Sequence, residues 1–281
     1  MNPDDAPPCL VNWSGLTDRG RFRENNEDAF LALTFDAEGV RFLGKEGHGS
    51  LEEADFVFAV SDGMGGAKSG EFASRIAVDK ITRLLPRSFH QRARGLPTGF
   101  SDILETLMHA IHDEMTSLGR IYEECHGMGA TLTLGWFVPG WLYYAHIGDS
   151  RIYHVAAAGG MRQLSHDDTY VGWMFRNGQI NEREARSHPR KNILQRALGA
   201  GHQFIEPQIG GLRLEKGDAI LLCSDGIVDG MFDAQIEEML RTSTGTEFMN
   251  EHGTNPAESL VRTAVEQSGR DNTTAVVVVV H

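Results

Sequence analysis

Aspartate recurs at the ends of apolar runs. Phe56-Val57-Phe58-Ala59-Val60 leads into Ser61-Asp62-Gly63, and Ile220-Leu221-Leu222-Cys223 leads into Ser224-Asp225-Gly226. A third run, Leu142 to Ile147, ends in Gly148-Asp149-Ser150-Arg151. Asp271-Asn272 stands just before the valine-rich stretch Ala275 to Val280, and Glu27-Asp28 just before Ala29-Phe30-Leu31. Taken singly, Ser-Asp-Gly reads as turn chemistry and Glu-Asp as a solvated turn. Taken together, the acids gather at run ends while the run bodies hold almost none, so several carboxylates could converge at one sheet edge. Such a group repels itself unless cations are present, and oxygen-only ligands favour Mg²⁺ or Mn²⁺ over zinc. Glycine after the aspartate leaves a backbone carbonyl free to join them. Arg23, four residues before Glu27, is of the type that grips phosphate bidentately. Two cations and one arginine would suit a phosphoryl dianion, and bridging metals make a shared water nucleophilic at neutral pH.

The runs that end in these acids read as strands, being rich in β-branched and aromatic residues; Leu132-Thr133-Leu134 joins them. Three stretches carry helical spacing: Glu71 to Leu85; Ser101 to Tyr122, with Ile103, Leu107, Ile111, Met115 and Leu118; and Pro256 to Glu266. Helices thus fall early, midway and late among strands, which fits sheets covered by helices. Thr34 to Ala54 and the basic, proline-containing Pro86 to Gly99 are expected to be loops. Within Asp167 to Pro189, Asn181-Glu182-Arg183-Glu184 has a capping-box pattern, so a small helical flap is expected there.

Composition narrows the field. Over 281 residues, 39 acids against 26 Lys and Arg give a formal charge of −13, which argues against polyanionic partners, whether nucleic acid or an anionic membrane. A hydrophobic share of 41% and a charged share of 23% are ordinary for a globular chain. The start, Met1-Asn2-Pro3-Asp4-Asp5, lacks a basic segment followed by an apolar one, and no apolar run approaches the ~20 residues of a membrane helix. Cys9, Cys125 and Cys223 are widely spaced and suggest neither a disulfide framework nor a zinc pair. A cytoplasmic protein is the expectation.

Other phosphoryl chemistries fail on the residues. The positions six after Cys9, Cys125 and Cys223 are Gly15, Thr131 and Asp229, so no thiol nucleophile has its arginine. Neither Asp-x-Asp nor Asp-x-His occurs, which sets aside an aspartyl-phosphate enzyme and His-ligated dinuclear centres. In Gly63-Met64-Gly65-Gly66-Ala67-Lys68-Ser69, Ala67 separates glycine from lysine, against a phosphate loop. His109 and His112 share a helix without a third ligand nearby in sequence, and read as a solvated face.

Seven segments, in order, carry a resemblance. They are Gly20 to Asp28, Phe58 to Gly66, Gly127 to Thr131, Ala145 to Arg151, His188 to Gly199, Leu221 to Gly226 and Gly269 to Thr274. In these the chain resembles the metal-dependent protein phosphatases of type 2C, in their compact stand-alone bacterial form. The resemblance implies an α+β fold, a four-layer α-β-β-α sandwich of two antiparallel β-sheets flanked by helices. One phosphatase domain would cover 13–281 behind a tail at 1–12, with the flap at about 167–189. It implies two Mn²⁺ or Mg²⁺ ions, with Asp62 bridging both, the Gly63 carbonyl on one, and Asp225 and Asp271 on the other. Glu27 and Asp28 would hold metal-bound waters or ligate weakly. Arg23 would bind the substrate phosphate, and Asp149 would hold a third, weaker ion.

The implied reaction is hydrolysis of phosphoserine and phosphothreonine by direct attack of a metal-bridging hydroxide at Asp62, in a monomer that opposes a Ser/Thr kinase. Ala67, Asp168 and Thr169 depart from the family's usual His, His and Ser, but none of these changes removes a metal carboxylate. A catalytically weak, phosphatase-like regulatory module that binds phosphoproteins is the alternative; it would have lost an acid or Arg23, and all are present. A phosphatase acting on an anti-sigma-factor antagonist would usually carry an added sensor domain, for which this chain leaves no room.

Overall fold

Residues 9–65, 67–93, 99–243 and 255–281 are described by a computed structural model. Two antiparallel sheets lie face to face. The first holds β1 (Leu10–Asp18), β4 (Glu46–Ser50), β9 (Arg151–Val155), β10 (Met161–Gln163), β13 (Ala219–Cys223) and β14 (Thr273–Val280), in the order β10-β9-β13-β14-β1-β4. The second holds β2 (Asp28–Phe35), β3 (Val40–Phe42), β5 (Asp55–Met64), β6 (Gly129–Ala130), β7 (Leu132–Val138), β8 (Trp141–Ile147), β11 (Leu198–Gly199) and β12 (Gln208–Arg213). Its path is β11-β6-β5-β7-β8-β12, with β2 paired to β5 and β3 to β2. Helices α1 (Ala67–Ala93) and α2 (Phe100–Ile121) cover the second sheet; α5 (Asp225–Gly230), α6 (Asp233–Ser243) and α7 (Pro256–Gln267) cover the first. Short helices α3 (Tyr170–Arg176) and α4 (Glu182–Ser187) lie between β10 and β11 in the chain.

The apolar runs are explained by burial on both faces. Side chains alternate along a strand, so Phe56, Phe58 and Val60 of β5 enter the layer between the sheets while Val57 and Ala59 meet α1 and α2. β14 divides likewise: Val276, Val278 and Val280 face inward, and Ala275, Val277 and Val279 face α5–α7. Phe58 meets Phe137 edge-on at 5.6 Å, and Trp13 lies tilted 5.8 Å from Phe58. This is the expected four-layer sandwich.

The helices follow their own patterns. On α2, Ile103, Leu107, Ile111 and Met115 form the buried stripe. Asn255 caps α7 by accepting from the Glu258 amide at 2.9 Å, with Pro256 in the first turn. On α4, Asn181 and Glu184 form the capping box that the sequence predicts.

Several expectations need correction. The 34–54 segment is not all loop. It contains the end of β2 together with β3 and β4, and β4 pairs with β1 because Gly47 and Gly49 leave room for the Trp13 and Phe56 rings. The backbone of α1 continues past Pro86 to Ala93, through Arg, Gln and Ala residues that favour helix; residues 94–98 lie outside the described residues. β1 begins at Leu10: Leu10–Asn12 pair with β4 and Val11–Asn12 also with β14, so the sheet takes in the end of the segment expected as a tail at 1–12. Residues 1–8 lie outside the described residues.

The topology sets where the acids go. β2 begins where β5 ends, and in register Asp28 faces Asp62. β13 ends, and β14 begins, at the neighbouring edge of the other sheet. The β8–β9 connection crosses from sheet to sheet carrying Asp149.

Candidate metal centre

Arg23, Glu27, Asp62, Gly63, Asp149, Asp225 and Asp271 line one cavity of about 410 Å³, which Thr131, Asn192 and Leu194 also border. Asp28 does not line it; the residue is 7% exposed and sits behind the cavity. Segments far apart in sequence thus bring together the predicted residues, with Asp28 set one layer back.

Each residue is held by identifiable contacts. Asp62 and Gly63 do not form a turn. They lie inside β5, because the ladder continues to pair Asp62 with Asp28 and Gly63 with Ala130. The Asp62 amide donates to Thr131 Oγ1 at 3.0 Å. A Cβ on Gly63 would overlap the Gly70 carbonyl at the start of α1, so the glycine lets that helix close on the site. Asp225 is the first residue of α5, with Ser224 in the extended conformation of a helix cap. Asp271 precedes β14, where its Oδ1 accepts from the Asn272 amide at 2.9 Å. Asn272 itself is a tie: its Oδ1 accepts from the Glu27 amide at 2.8 Å, and its Nδ2 donates to the carbonyls of Arg19 and Asn25.

Asp149 rests on a buried scaffold. Gly148 turns the chain at φ +110, where a side chain would strike Thr131. Its amide donates to Asp168 Oδ2 at 3.0 Å, and its carbonyl accepts from His146 Nε2 at 3.1 Å. That carbonyl can only accept, so His146 carries its proton on Nε2 and accepts from Thr133 Oγ1 at Nδ1 (2.8 Å). Burial pushes His146 down to about 4, keeping it neutral. Asp168, one of the departures from the family pattern, therefore holds the turn before Asp149. Nothing in the sequence signals that contact.

The electrostatics are those of crowded acids that Arg23 and Arg151 offset only in part. Asp62 is partly exposed to the cavity, yet burial and the charges of Asp28, Asp225, Asp149 and Asp271 hold it well above the usual carboxylate range. Burial, then Asp149, Asp229 and Asp271, do the same to Asp225. Burial, with Asp167 adding and Arg151 opposing, pushes Asp149 up to about 7. Burial lifts Asp28 to about 6, against hydrogen bonds from Thr274 and Ser224. Among the described residues Arg23 is the one basic residue in the lining, and its Nη2 donates to Asp271 Oδ2 at 2.8 Å.

Asp28 Oδ1 and Asp225 Oδ1 are buried without a hydrogen-bond partner. Orphaned carboxylate oxygens, raised neighbours and an all-oxygen donor set fit hard divalent cations. Among the described residues no three acids, histidines or cysteines stand close enough together to make a ready-formed ligand group.

The flap segment docks beside this cavity. Lys191 Nζ meets both oxygens of Asp229 at 2.5 and 2.6 Å, Arg186 donates to the Asp229 and Met231 carbonyls, and Glu182 accepts from the Asp233 amide. Arg151 pairs bidentately with Asp167 at the flap's start. His112 departs from the expected solvated face: it is 4% exposed and accepts from the Gly199 amide at 3.1 Å. α2 turns that position toward β11, while His109 stays outside. The side chain of Ala67 lies outside the described residues.

Residues 45–263 match the sequence family Protein phosphatase 2C. The serine/threonine protein phosphatase PstP of Mycobacterium tuberculosis is 32% identical over 271 residues, 95% of this chain and 45% of the relative. The serine/threonine phosphatase stp of Listeria innocua is 30% identical over 263 residues, 93% of both chains. This chain thus spans under half of the mycobacterial relative and nearly all of the listerial one. A crystal structure of the PstP catalytic domain in complex with two manganese ions superposes with a TM-score of 0.72 at 29% identity, covering 96% of this chain and 98% of that one. The match to the family over most of the chain, and to a relative along nearly its whole length, agree with the sandwich and its acidic edge: this chain belongs to the protein phosphatase 2C family.

Proposed function

We propose that this chain is a metal-dependent protein phosphatase that hydrolyses phosphoserine and phosphothreonine. One observation carries the reading: among the described residues, crowded acids from both sheets share a cavity with a single arginine, an arrangement suited to divalent cations and a phosphoryl group. Asp62, the Gly63 carbonyl, Asp225 and Asp271 would hold two Mn²⁺ or Mg²⁺ ions, with Glu27 and Asp28 supporting them and Asp149 on the side of a third. Bound there, the ions would supply Lewis acidity toward the phosphoryl oxygens and make a water nucleophilic near neutral pH.

The protein's own groups do the rest. Asp271 holds one nitrogen of Arg23, which leaves the other guanidinium N–H groups to grip phosphoryl oxygens and stabilise the charge that grows there. Asn272 and Thr131 keep Glu27 and Asp62 in register. In this reading the leaving serine or threonine oxygen takes its proton from water. Direct hydrolysis by water, without a covalent phosphoenzyme, is part of the same reading.

The substrates in this reading are phosphoproteins of a Ser/Thr kinase, met in the cytoplasm by a monomeric enzyme of one catalytic domain. No helix among the described residues is long and apolar enough to cross a membrane. The test is a panel of peptides phosphorylated on serine, threonine or tyrosine, incubated with the protein and Mn²⁺. Phosphate release from the first two, with no acid-stable phosphoprotein after quenching, is expected. Release from neither, or a trapped phosphoenzyme, would refute the reading.

A further inference from the structure

Asp28 is the candidate acid whose two oxygens are treated most unequally. Its Oδ2 accepts from Ser224 Oγ at 2.7 Å and from Thr274 Oγ1 at 2.6 Å. Its Oδ1 is buried with no partner. A carboxylate that needed only neutral burial would have its donors shared between both oxygens, because a bare buried acceptor is costly. Here both donors converge on one.

Counting protons fixes the direction of the surrounding contacts. A hydroxyl has one hydrogen. That of Thr274 is spent on Asp28, so in the 2.7 Å contact between Thr17 Oγ1 and Thr274 Oγ1 it is Thr17 that donates. Thr17 Oγ1 accepts in turn from Asn26 Nδ2 at 2.9 Å. Ser224 Oγ, its hydrogen also spent on Asp28, accepts from the Thr274 amide at 3.0 Å. The chain Asn26 to Thr17 to Thr274 therefore runs one way, toward Asp28 Oδ2, and ties β1 and β14 of one sheet to β2 of the other. On β2, Asp28 lies opposite Asp62 in register.

We propose that Thr274 and Ser224 are positioning residues of the metal centre: their hydroxyls lock the Asp28 carboxylate so that Oδ1 alone is offered to the ions or to the water around them. The inference rests on the metal-binding reading above and deepens it. With the hydroxyls removed, the carboxylate is free to rotate and to present either oxygen, and the centre loses a prebuilt acceptor.

The test is calorimetric titration of Mn²⁺ into EDTA-stripped protein. Thr274→Val, close in shape but without the donor, is expected to weaken Mn²⁺ binding about 10- to 100-fold, the usual range for a residue that orients a ligand. Ser224→Ala should do the same and serves if the valine variant fails to fold. Thr274→Ser, which restores a hydroxyl, should bind within about 3-fold of wild type, a rescue that a purely packing role would not give. In an Asp28→Asn background, Thr274→Val should add no further loss. Wild-type affinity in both Thr274→Val and Ser224→Ala, or an undiminished loss in the Asp28→Asn background, would overturn the inference and leave the metal reading standing. A wild-type protein that takes up no Mn²⁺ would overturn both.

Discussion

Asp149 offers a perturbation whose sign can be worked out. In the metal-free protein its carboxyl is pushed up to about 7 from 3.8, first by burial and then by Asp167, with Arg151 opposing. A folded-state value above the unfolded one means that the group stabilises the fold at low pH, and that this stability is lost as pH rises through the folded value. Between pH 5.5 and 8 the loss from this group comes to about 2 kcal/mol, at about 1.4 kcal/mol per tenfold change. Asparagine cannot ionise, so Asp149→Asn escapes it. For 281 residues, unfolding entropy of about 2.1 cal/mol/K per residue gives about 0.6 kcal/mol per degree. The melting temperature of Asp149→Asn relative to wild type should thus rise by about 3 °C between pH 5.5 and 8 in EDTA. Neutral buried His146, whose own contribution grows as pH rises toward 7, is common to both proteins and cancels. Paired thermal melts read the difference. A gap that stays flat or narrows with pH would refute the reasoning that burial, outweighing the opposing charge of Arg151, raises this acid.

Three other outcomes follow from the same contacts. Asp225→Asn should weaken Mn²⁺ binding by more than about 100-fold, more than loss of an orienting residue would, as read by calorimetry. Arg23→Lys should raise KM for a phosphopeptide about 10-fold, because a point charge replaces a fork already held by Asp271; steady-state kinetics checks it. Phe58→Ala, at a fully buried position packed on Phe137 and Trp13, should cost about 3–5 kcal/mol and lower the melting temperature by about 5–8 °C in calorimetry without changing which metal is preferred.

How far the sequence led depended on whether a partner lay nearby in the chain. The doubly buried strands β5 and β14 were legible as continuous apolar runs, and the strand-end acids pointed to one shared edge. The α4 capping box was legible because its two members are three residues apart. β4 was hidden by its glycines and charges, since what makes it a strand is the backbone of β1 and the rings of Trp13 and Phe56. The Asp-Gly pairs looked alike in sequence, yet one stays inside β5 and the other opens α5, because only the first has a ladder partner in Ala130. Asp28 gave no sign of standing behind the cavity, and its donors, Ser224 and Thr274, are 196 and 246 residues away. The burial of His112 is hidden for the same reason: its partner, Gly199, stands on β11, 87 residues away.

The metal-dependent reading of the acidic edge is tested most directly by phosphate release from a phosphothreonine peptide, with protein stripped by EDTA and then titrated with Mn²⁺. Asp62→Asn would be carried through the same titration. The stripped wild type is expected to be silent and to gain activity that saturates with Mn²⁺, while Asp62→Asn stays near the stripped baseline at every concentration. Full activity in EDTA, or an Asp62→Asn curve that overlays the wild type, would contradict it.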